Sequence, residues 1–216
     1  MTLALDPTQR KPGQEIDRHA VILGAAERAF VRQGFHATTM NDVAEEAGMS
    51  AGNLYRYFKS KEAMVEGICT LDKDDRAQSF LAVVSSQSIL AAISDGIRTH
   101  LLAKPREKML MILEIWAEAG RNPKIAEIGR AIDADVLRGL SALVAAAKAK
   151  GEAVASLDPA FAARLIFTLV GGLFKRRAHE PDFDIEREAS MALSVFTALF
   201  AGAISGQAKS GPVELN

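Results

Sequence analysis

Apolar residues recur every three or four positions along almost the whole chain, which is the spacing of one face of an α-helix. In the first such segment Ile22, Ala26 and Phe30 form the repeat, whereas Arg28 and Arg32 lie outside it. No window of strand length alternates aromatic or β-branched residues with polar ones. The pattern therefore predicts an all-α fold.

Capping residues, glycines and prolines divide the chain into about nine predicted helices. The clearest starts are Asn122-Pro123 and Asp158-Pro159, because proline at the first helical position gives up no helical hydrogen bond. The predicted helices span residues 17–33, 40–47, 51–57, 61–84, 88–102, 106–120, 123–151, 159–178 and 185–204.

Three helices, the second and third of them very short, open the chain, and a glycine turn at Gly48 separates the last two. Thr39 with Asp42 has the spacing of a capping box, and Ser50 is placed to cap the third helix. This order is typical of a helix-turn-helix unit.

The chain accordingly divides into two predicted domains and two tails. We predict a helix-turn-helix domain over residues 16–76 and a second helical domain over residues 77–206. Residues 1–15 and 205–216 lack the helical period and are predicted to be flexible tails.

Positive charge in this sequence is local. Lysine and arginine together number 26 against 27 aspartates and glutamates, which gives a net charge of -1. This balance excludes a polybasic coat for nucleic acid or anionic lipid. Within residues 50–61, however, Arg56, Lys59 and Lys61 occur without any acid. A polyanionic partner is expected to contact this segment.

The sequence predicts a cytoplasmic protein without a membrane partner. Cys69 is the only cysteine, so an intrachain disulfide is excluded and a reducing compartment is expected. The N-terminus lacks the basic region of a signal peptide. The longest apolar stretch, residues 191–204, is shorter than the about 20 residues that a membrane-spanning helix needs.

Two motifs, Val43-Ala-Glu-Glu-Ala-Gly48 and Leu54-Tyr-Arg-Tyr-Phe-Lys-Ser-Lys61, follow Thr38-Thr39 in the predicted helix-turn-helix unit. Together they resemble the DNA-binding region of the TetR family of bacterial transcriptional regulators, from about Ile22 to the start of the fourth helix. The resemblance implies a homodimeric repressor that binds double-stranded operator DNA and is released from it by a small molecule. It also implies that the second domain binds the ligand and forms the dimer.

The third predicted helix carries the residues expected to contact base edges. Ala51 and Gly52 are small enough for close approach in the major groove, and Asn53 matches the N6/N7 edge of adenine. Tyr55 or Arg56 is expected to join Asn53 in base contact.

Other residues are expected to contact the DNA backbone. Thr39 stands at a helix N-terminus, which favours phosphate, and Tyr57 and Lys61 offer a hydroxyl and a charge. Capping alone is the alternative role for Thr39 and Ser50. Tyr55 and Tyr57 are two residues apart on a helix, so one of them is expected to pack against the first helix. The predicted DNA-binding residues are Thr39, Ser50, Ala51, Gly52, Asn53, Tyr55, Arg56, Tyr57 and Lys61.

Two candidate sites lie in the second predicted domain. Met109, Ile112 and Trp116 are candidates to line a cavity for an apolar or aromatic small molecule, and a methionine-rich core is the alternative. The last two helices are apolar over more than one stripe, which predicts packing against a second subunit, with burial inside one chain as the alternative. The predicted dimer interface consists of Phe161, Leu165, Leu169, Phe196, Leu199 and Phe200.

The sequence does not favour an enzyme. Its four histidines are scattered without the spacing of a metal site, and it has neither a glycine-rich phosphate loop nor a Gly-x-Ser-x-Gly motif. We therefore expect no catalytic residue, no metal and no cofactor. A DNA-bound scaffold or regulator without a small-molecule inducer is the remaining alternative function.

Overall fold

A computed structural model of the protein describes residues 17–204 and all their side chains except those of residues 74, 75 and 100–103. Over this range the chain forms nine α-helices and no strand, which confirms the predicted all-α fold. The predicted tails and the outermost residues of the two predicted domains lie outside the described residues. The helices are α1 Arg18–Gln33, α2 Met40–Glu46, α3 Ala51–Tyr57, α4 Lys61–Ser85, α5 Ile89–Ala103, α6 Arg106–Glu118, α7 Pro123–Ala149, α8 Pro159–His179 and α9 Ile185–Phe200.

Side-chain caps fix where most of these helices begin. Asp17 accepts hydrogen bonds from the His19 and Ala20 N–H groups at the start of α1. Asn122 and Asp158 accept equivalent bonds ahead of the prolines that open α7 and α8. Both of these predicted helix starts are therefore confirmed.

The first hydrophobic core lies among α1 to α4, but residues from later helices complete it. Met111 of α6 and Ile125 and Ile128 of α7 are buried in this core. Its members from the first four helices include Ile22, Phe30, Val43, Leu54, Phe58 and Met64. The predicted boundary at residue 76 falls inside α4, which runs without a break along the side of α7.

A second hydrophobic core lies among α5, α7, α8 and α9. Phe196 and Leu199 are fully buried in it, and Phe200 is 2% exposed. These three residues are therefore not accessible to a second subunit, which corrects the prediction that they form part of a dimer interface. The physical reason is that this stripe of α9 packs against α5 and α8 of its own chain.

The outward faces of α8 and α9 are less completely covered. Phe161, Leu165 and Leu169 of α8 are half-buried at the edge of the second core, and Met191 of α9 is 46% exposed. Although both helices are apolar, no helix within residues 17–204 combines the length and hydropathy that crossing a membrane requires.

Helix α6 joins the second predicted domain directly to the first. Lys108 Nζ lies 2.7 Å from Glu27 Oε1 of α1, and both side chains are largely buried. Ile112 packs against both hydrophobic cores. At the start of α7, Asn122 Nδ2 donates a hydrogen bond of 2.9 Å to Glu62 of α4. Helix α6 is therefore in direct contact with α1.

Candidate nucleic-acid interface

Helices α2 and α3 meet at a tight turn that leaves one side of α3 uncovered. Gly48 has a φ of 65°, a left-handed conformation that favours glycine. Ser50 then begins α3 by accepting a hydrogen bond of 3.3 Å from the Asn53 N–H. The inward residue Leu54 is fully buried, as its position in the sequence predicts. Burial of Leu54 fixes α3 on the core with its opposite face toward solvent.

The exposed surface of α3 carries three of the five residues predicted to contact base edges. Gly52, Tyr55 and Arg56 are exposed, whereas Ala51 and Asn53 are half-buried. A Cβ atom built on Gly52 would meet no atom within 4 Å. This surface is therefore open enough for close approach of another molecule.

The two tyrosines of α3 have different environments. Tyr57 is half-buried beside the first core, and its ring meets the His19 ring of α1 edge to face with centroids 5.3 Å apart. Tyr55 is 44% exposed on the other side of the helix. Tyr57 is thus the tyrosine that packs against α1, and Tyr55 is the one that faces solvent.

The three cations of residues 50–61 also differ in their contacts. Lys59 Nζ donates a hydrogen bond of 2.7 Å to the Tyr55 carbonyl, and Lys61 Nζ donates to the carbonyls of Phe35 (2.6 Å) and His36 (3.1 Å). Arg56, in contrast, makes no ion pair or hydrogen bond through its side chain with any residue that the structure describes. It is the cation of this segment whose donors are free.

Lys61 has a structural contact that the sequence did not reveal. Its ammonium group lies 4.7 Å from the centroid of the Phe35 ring and joins the start of α4 to the turn after α1. Partial burial lowers the pKa of Lys61, and the carboxylates of Glu62, Glu118 and Glu114 oppose that shift. Two of its three donors are used by backbone carbonyls, which leaves one for a phosphate.

Glu114 of α6 contacts the same turn and is a second residue that sequence reasoning missed. Its carboxylate accepts a hydrogen bond of 3.3 Å from the His36 N–H. The contact requires Gly34, because a Cβ atom there would lie 2.8 Å from Glu114 Oε1, and because Gly34 has a φ of 82°. The turn ahead of α2 is therefore positioned from α4 by Lys61 and from α6 by Glu114.

Thr39 and Ser50 both act as helix caps. The Thr39 hydroxyl accepts from the Asp42 N–H (3.2 Å) and donates to Asp42 Oδ2 (2.8 Å), while the Thr39 N–H donates to the same carboxylate (2.7 Å). These bonds, the backbone one first, lower the pKa of Asp42. The predicted capping box is confirmed. The Ser50 hydroxyl accepts a capping bond, and its proton has no acceptor among the described residues.

Two arginines of α1 share one carboxylate of α2. Arg28 Nε and Arg32 Nη1 lie 2.8 and 2.6 Å from the carboxylate oxygens of Glu46 in α2. The hydrogen bonds from Arg28 and then Arg32 lower the pKa of Glu46. These pairs hold α2 against α1, and the three residues together keep one net positive charge.

The predicted ligand-binding residues lie at different depths. Met109 is fully buried in the second core, Ile112 is half-buried between the two cores, and Trp116 is 48% exposed. The Trp116 ring lies against Phe174 of α8 with centroids 5.6 Å apart. The three residues follow one side of α6 from the interior to the surface.

Within the part of the chain that the structure describes, no group of three or more His, Cys, Asp or Glu side chains is arranged to hold a metal ion. Cys69 is a free thiol whose pKa is raised by burial, and the nearby Asp72 carboxylate adds to the shift. A raised pKa disfavours the reactive thiolate.

The chain combines a capped helix-turn-helix unit, whose third helix is exposed, with a body made of the later helices. This arrangement defines a DNA-binding protein of the helix-turn-helix class. Residues 22–68 match the family described as bacterial regulatory proteins, tetR family, and residues 99–201 match BetI-type transcriptional repressor, C-terminal. The regulator TtgR of Pseudomonas putida is 30% identical and aligns over 77% of this chain and 82% of its own length. The chain belongs to the TetR family of bacterial transcriptional regulators, as the motifs of α2 and α3 predicted.

Solved structures share the fold over nearly their whole length. Salmonella enterica GusR superimposes with a TM-score of 0.75 at 27% identity and covers 88% of this chain and 99% of its own. SmeT of Stenotrophomonas maltophilia, solved as a complex with triclosan, has a TM-score of 0.73 at 23% identity and covers 91% and 98%. The predicted arrangement of a helix-turn-helix unit and a helical body is confirmed.

Proposed function

We propose that this chain is a repressor that holds operator DNA through α3 as a homodimer and releases the DNA when it binds a small molecule. The observation that carries the proposal is the exposed surface of α3 formed by Gly52, Tyr55 and Arg56. An unpaired guanidinium forms bidentate hydrogen bonds with guanine or phosphate. The open space at Gly52 lets the α3 backbone approach the floor of the major groove.

Each remaining residue of the predicted site has a proposed role. Asn53 reads adenine beside Tyr55 or Arg56, with Ala51 leaving room for the base pair. The Ser50 hydroxyl donates its free proton to a phosphate. Thr39, Tyr57 and Lys61 contact the DNA backbone. The groups available for these contacts are the α2 N-terminus at Thr39, the Tyr57 hydroxyl and one ammonium donor of Lys61.

Dimerisation is proposed to involve the outward faces of α8 and α9. Phe161, Leu165 and Leu169 of the predicted interface are half-buried in the single chain, and Met191 offers an exposed apolar side chain on α9. A twofold axis there is required to place two α3 helices about 34–36 Å apart, the distance between successive major grooves.

Release by a small molecule is proposed on the basis of the family and of α6. The C-terminal region matches BetI-type repressors, and the similar fold of SmeT is known in complex with triclosan. An apolar or aromatic ligand that enters beside Trp116 and displaces Ile112 and Met109 would shift α6 against α1. A regulator without an inducer is the second candidate, and the complete burial of Met109 favours it.

DNA binding is tested by selecting bound fragments from genomic DNA and measuring fluorescence anisotropy of the selected fragment across a salt series. We expect Arg56→Gln to weaken binding about tenfold or more and, for a phosphate contact, to lower the slope of log K against log salt by about 1. Arg130→Gln, an exposed arginine of α7, is the matched control and is expected to bind like the parent. Identical isotherms for all three proteins would contradict the proposed role of α3.

Ligand binding is tested through Trp116, the only tryptophan of the chain. Triclosan serves as the probe. Saturable quenching of tryptophan fluorescence together with release of the DNA fragment supports the ligand-responsive repressor. DNA binding that persists at saturating probe, with unchanged fluorescence, favours the regulator without an inducer of this class.

A further inference from the structure

A surface pocket of about 540 Å³ lies where α1 meets the corner between α5 and α6. Glu27, Arg28 and Val31 of α1 form one side, and the corner residues, among them Lys104 and Pro105, form the other. The pocket is open to solvent, and five of its seven lining residues are charged. Neither the α3 surface nor Met109, Ile112 or Trp116 lines this pocket, so the proposed function gives it no role.

Two of the cations in the pocket wall already form ion pairs. Lys108 Nζ lies 2.7 Å from Glu27, and Arg28 Nε lies 2.8 Å from Glu46. The remaining carboxylate of the wall, Glu107, is exposed to solvent. The lining therefore carries three cations and two carboxylates, and its formal net charge of +1 would fall to zero without Lys104.

Lys104 is half-buried, and its ammonium group has no ion pair or hydrogen bond with the residues that the structure describes. Burial lowers its pKa; the carboxylates of Asp72 and Glu27 oppose the shift, and the cations Lys108 and Arg76 add to it. A charge that is partly removed from water without a counter-ion is unfavourable, and an anion placed against it removes that penalty.

We propose that this pocket binds a small organic carboxylate, with the Lys104 ammonium group as counter-ion and the Val31 and Pro105 side chains against the hydrocarbon part. Binding of this kind needs no property of the α3 surface. A further consequence does rest on the proposed function: because the walls come from α1 and from the α5–α6 corner, an occupant ties the DNA-binding unit to the body and changes DNA affinity.

The binding is tested by isothermal titration of the full chain, without DNA, with sodium hexanoate. Hexan-1-ol, which has the same chain without the charge, is the comparison ligand. We expect saturable binding of hexanoate, weaker binding of hexan-1-ol, and an increase of about tenfold or more in the hexanoate Kd of Lys104→Gln. Lys104→Arg is expected to retain binding. Lys175→Gln, an exposed lysine of α8, is the matched control and should bind like the parent.

A second measurement uses the unaltered protein, so it does not depend on how the variants fold. Acetic anhydride labelling followed by mass spectrometry should show that hexanoate protects Lys104 but not Lys175. No saturable binding, equal Kd values for the parent and Lys104→Gln, or equal labelling with and without hexanoate would overturn the proposal. Hexanoate binding by a chain that fails to bind DNA would refute only the repressor function.

Discussion

Replacement of Gly34 by alanine tests how the DNA-binding unit is connected to the body. Gly34 has a φ of 82° and a ψ of 153°, a combination that is almost confined to glycine and costs other residues about 1–3 kcal/mol. The new methyl group would also lie 2.8 Å from the Glu114 carboxylate. The carboxylate would have to move, which breaks its long hydrogen bond to the His36 N–H at a further cost of about 1 kcal/mol.

The two contributions predict that Gly34→Ala lowers the free energy of unfolding by about 2–4 kcal/mol. Urea denaturation followed by circular dichroism measures this quantity, provided that the slope m is unchanged. Gly48→Ala is the matched control, because Gly48 has a φ of 65° but no atom within 4 Å of a new Cβ. That variant should lose only the backbone contribution, about 1–2 kcal/mol.

A double-mutant cycle isolates the contact with Glu114. In the Glu114→Ala background the carboxylate is absent. Gly34→Ala should then lower the free energy of unfolding only by the cost of the alanine backbone conformation. The reasoning is refuted if Gly34→Ala has the same effect with and without Glu114. It is also refuted if Gly34→Ala destabilises the protein no more than Gly48→Ala does.

Three further predictions concern the second core, the exposed side of α9 and the loop after α7. Phe196→Ala should lower the free energy of unfolding by about 3–5 kcal/mol, because the ring is fully buried within the chain. Met191→Glu, on the exposed side of α9, should leave chain folding intact and shift sedimentation toward the monomer; a dimer that survives it would contradict the proposed interface. For Glu152, burial raises the pKa but the stronger set of bonds from the Ile89 and Leu90 N–H groups lowers it. The ionised Glu152 carboxylate stabilises the folded chain above about pH 4.3, and this stabilisation is lost as pH falls through the folded-state pKa. Glu152→Gln should therefore show a smaller decrease of Tm than the parent between about pH 5 and 3.

Local signals in the sequence were sufficient to predict the helices. The starts of α7 and α8 depend on Asn122 and Asp158, which act within three residues of themselves. The inward direction of Leu54 follows from helical spacing alone. Such features are predictable because the interacting groups are close together in the chain.

Contacts between distant segments were not predictable in the same way. The hydrogen bonds from Lys61 to residues 35 and 36 and from His36 to Glu114 join residues 25 to 78 positions apart. No periodic pattern encodes them. The apolar stripe that contains Phe196 was recognised correctly, but periodicity does not tell whether a stripe faces its own chain or another subunit.

The three body residues in the first core, Met111, Ile125 and Ile128, have a consequence for protein engineering. A fragment cut near residue 76 would keep every side chain that we propose to contact DNA, but it would expose an apolar cavity in the first core where those three residues pack. A chimera that joins this helix-turn-helix unit to the helical domain of another regulator therefore needs apolar side chains of similar size from the new domain at the same position.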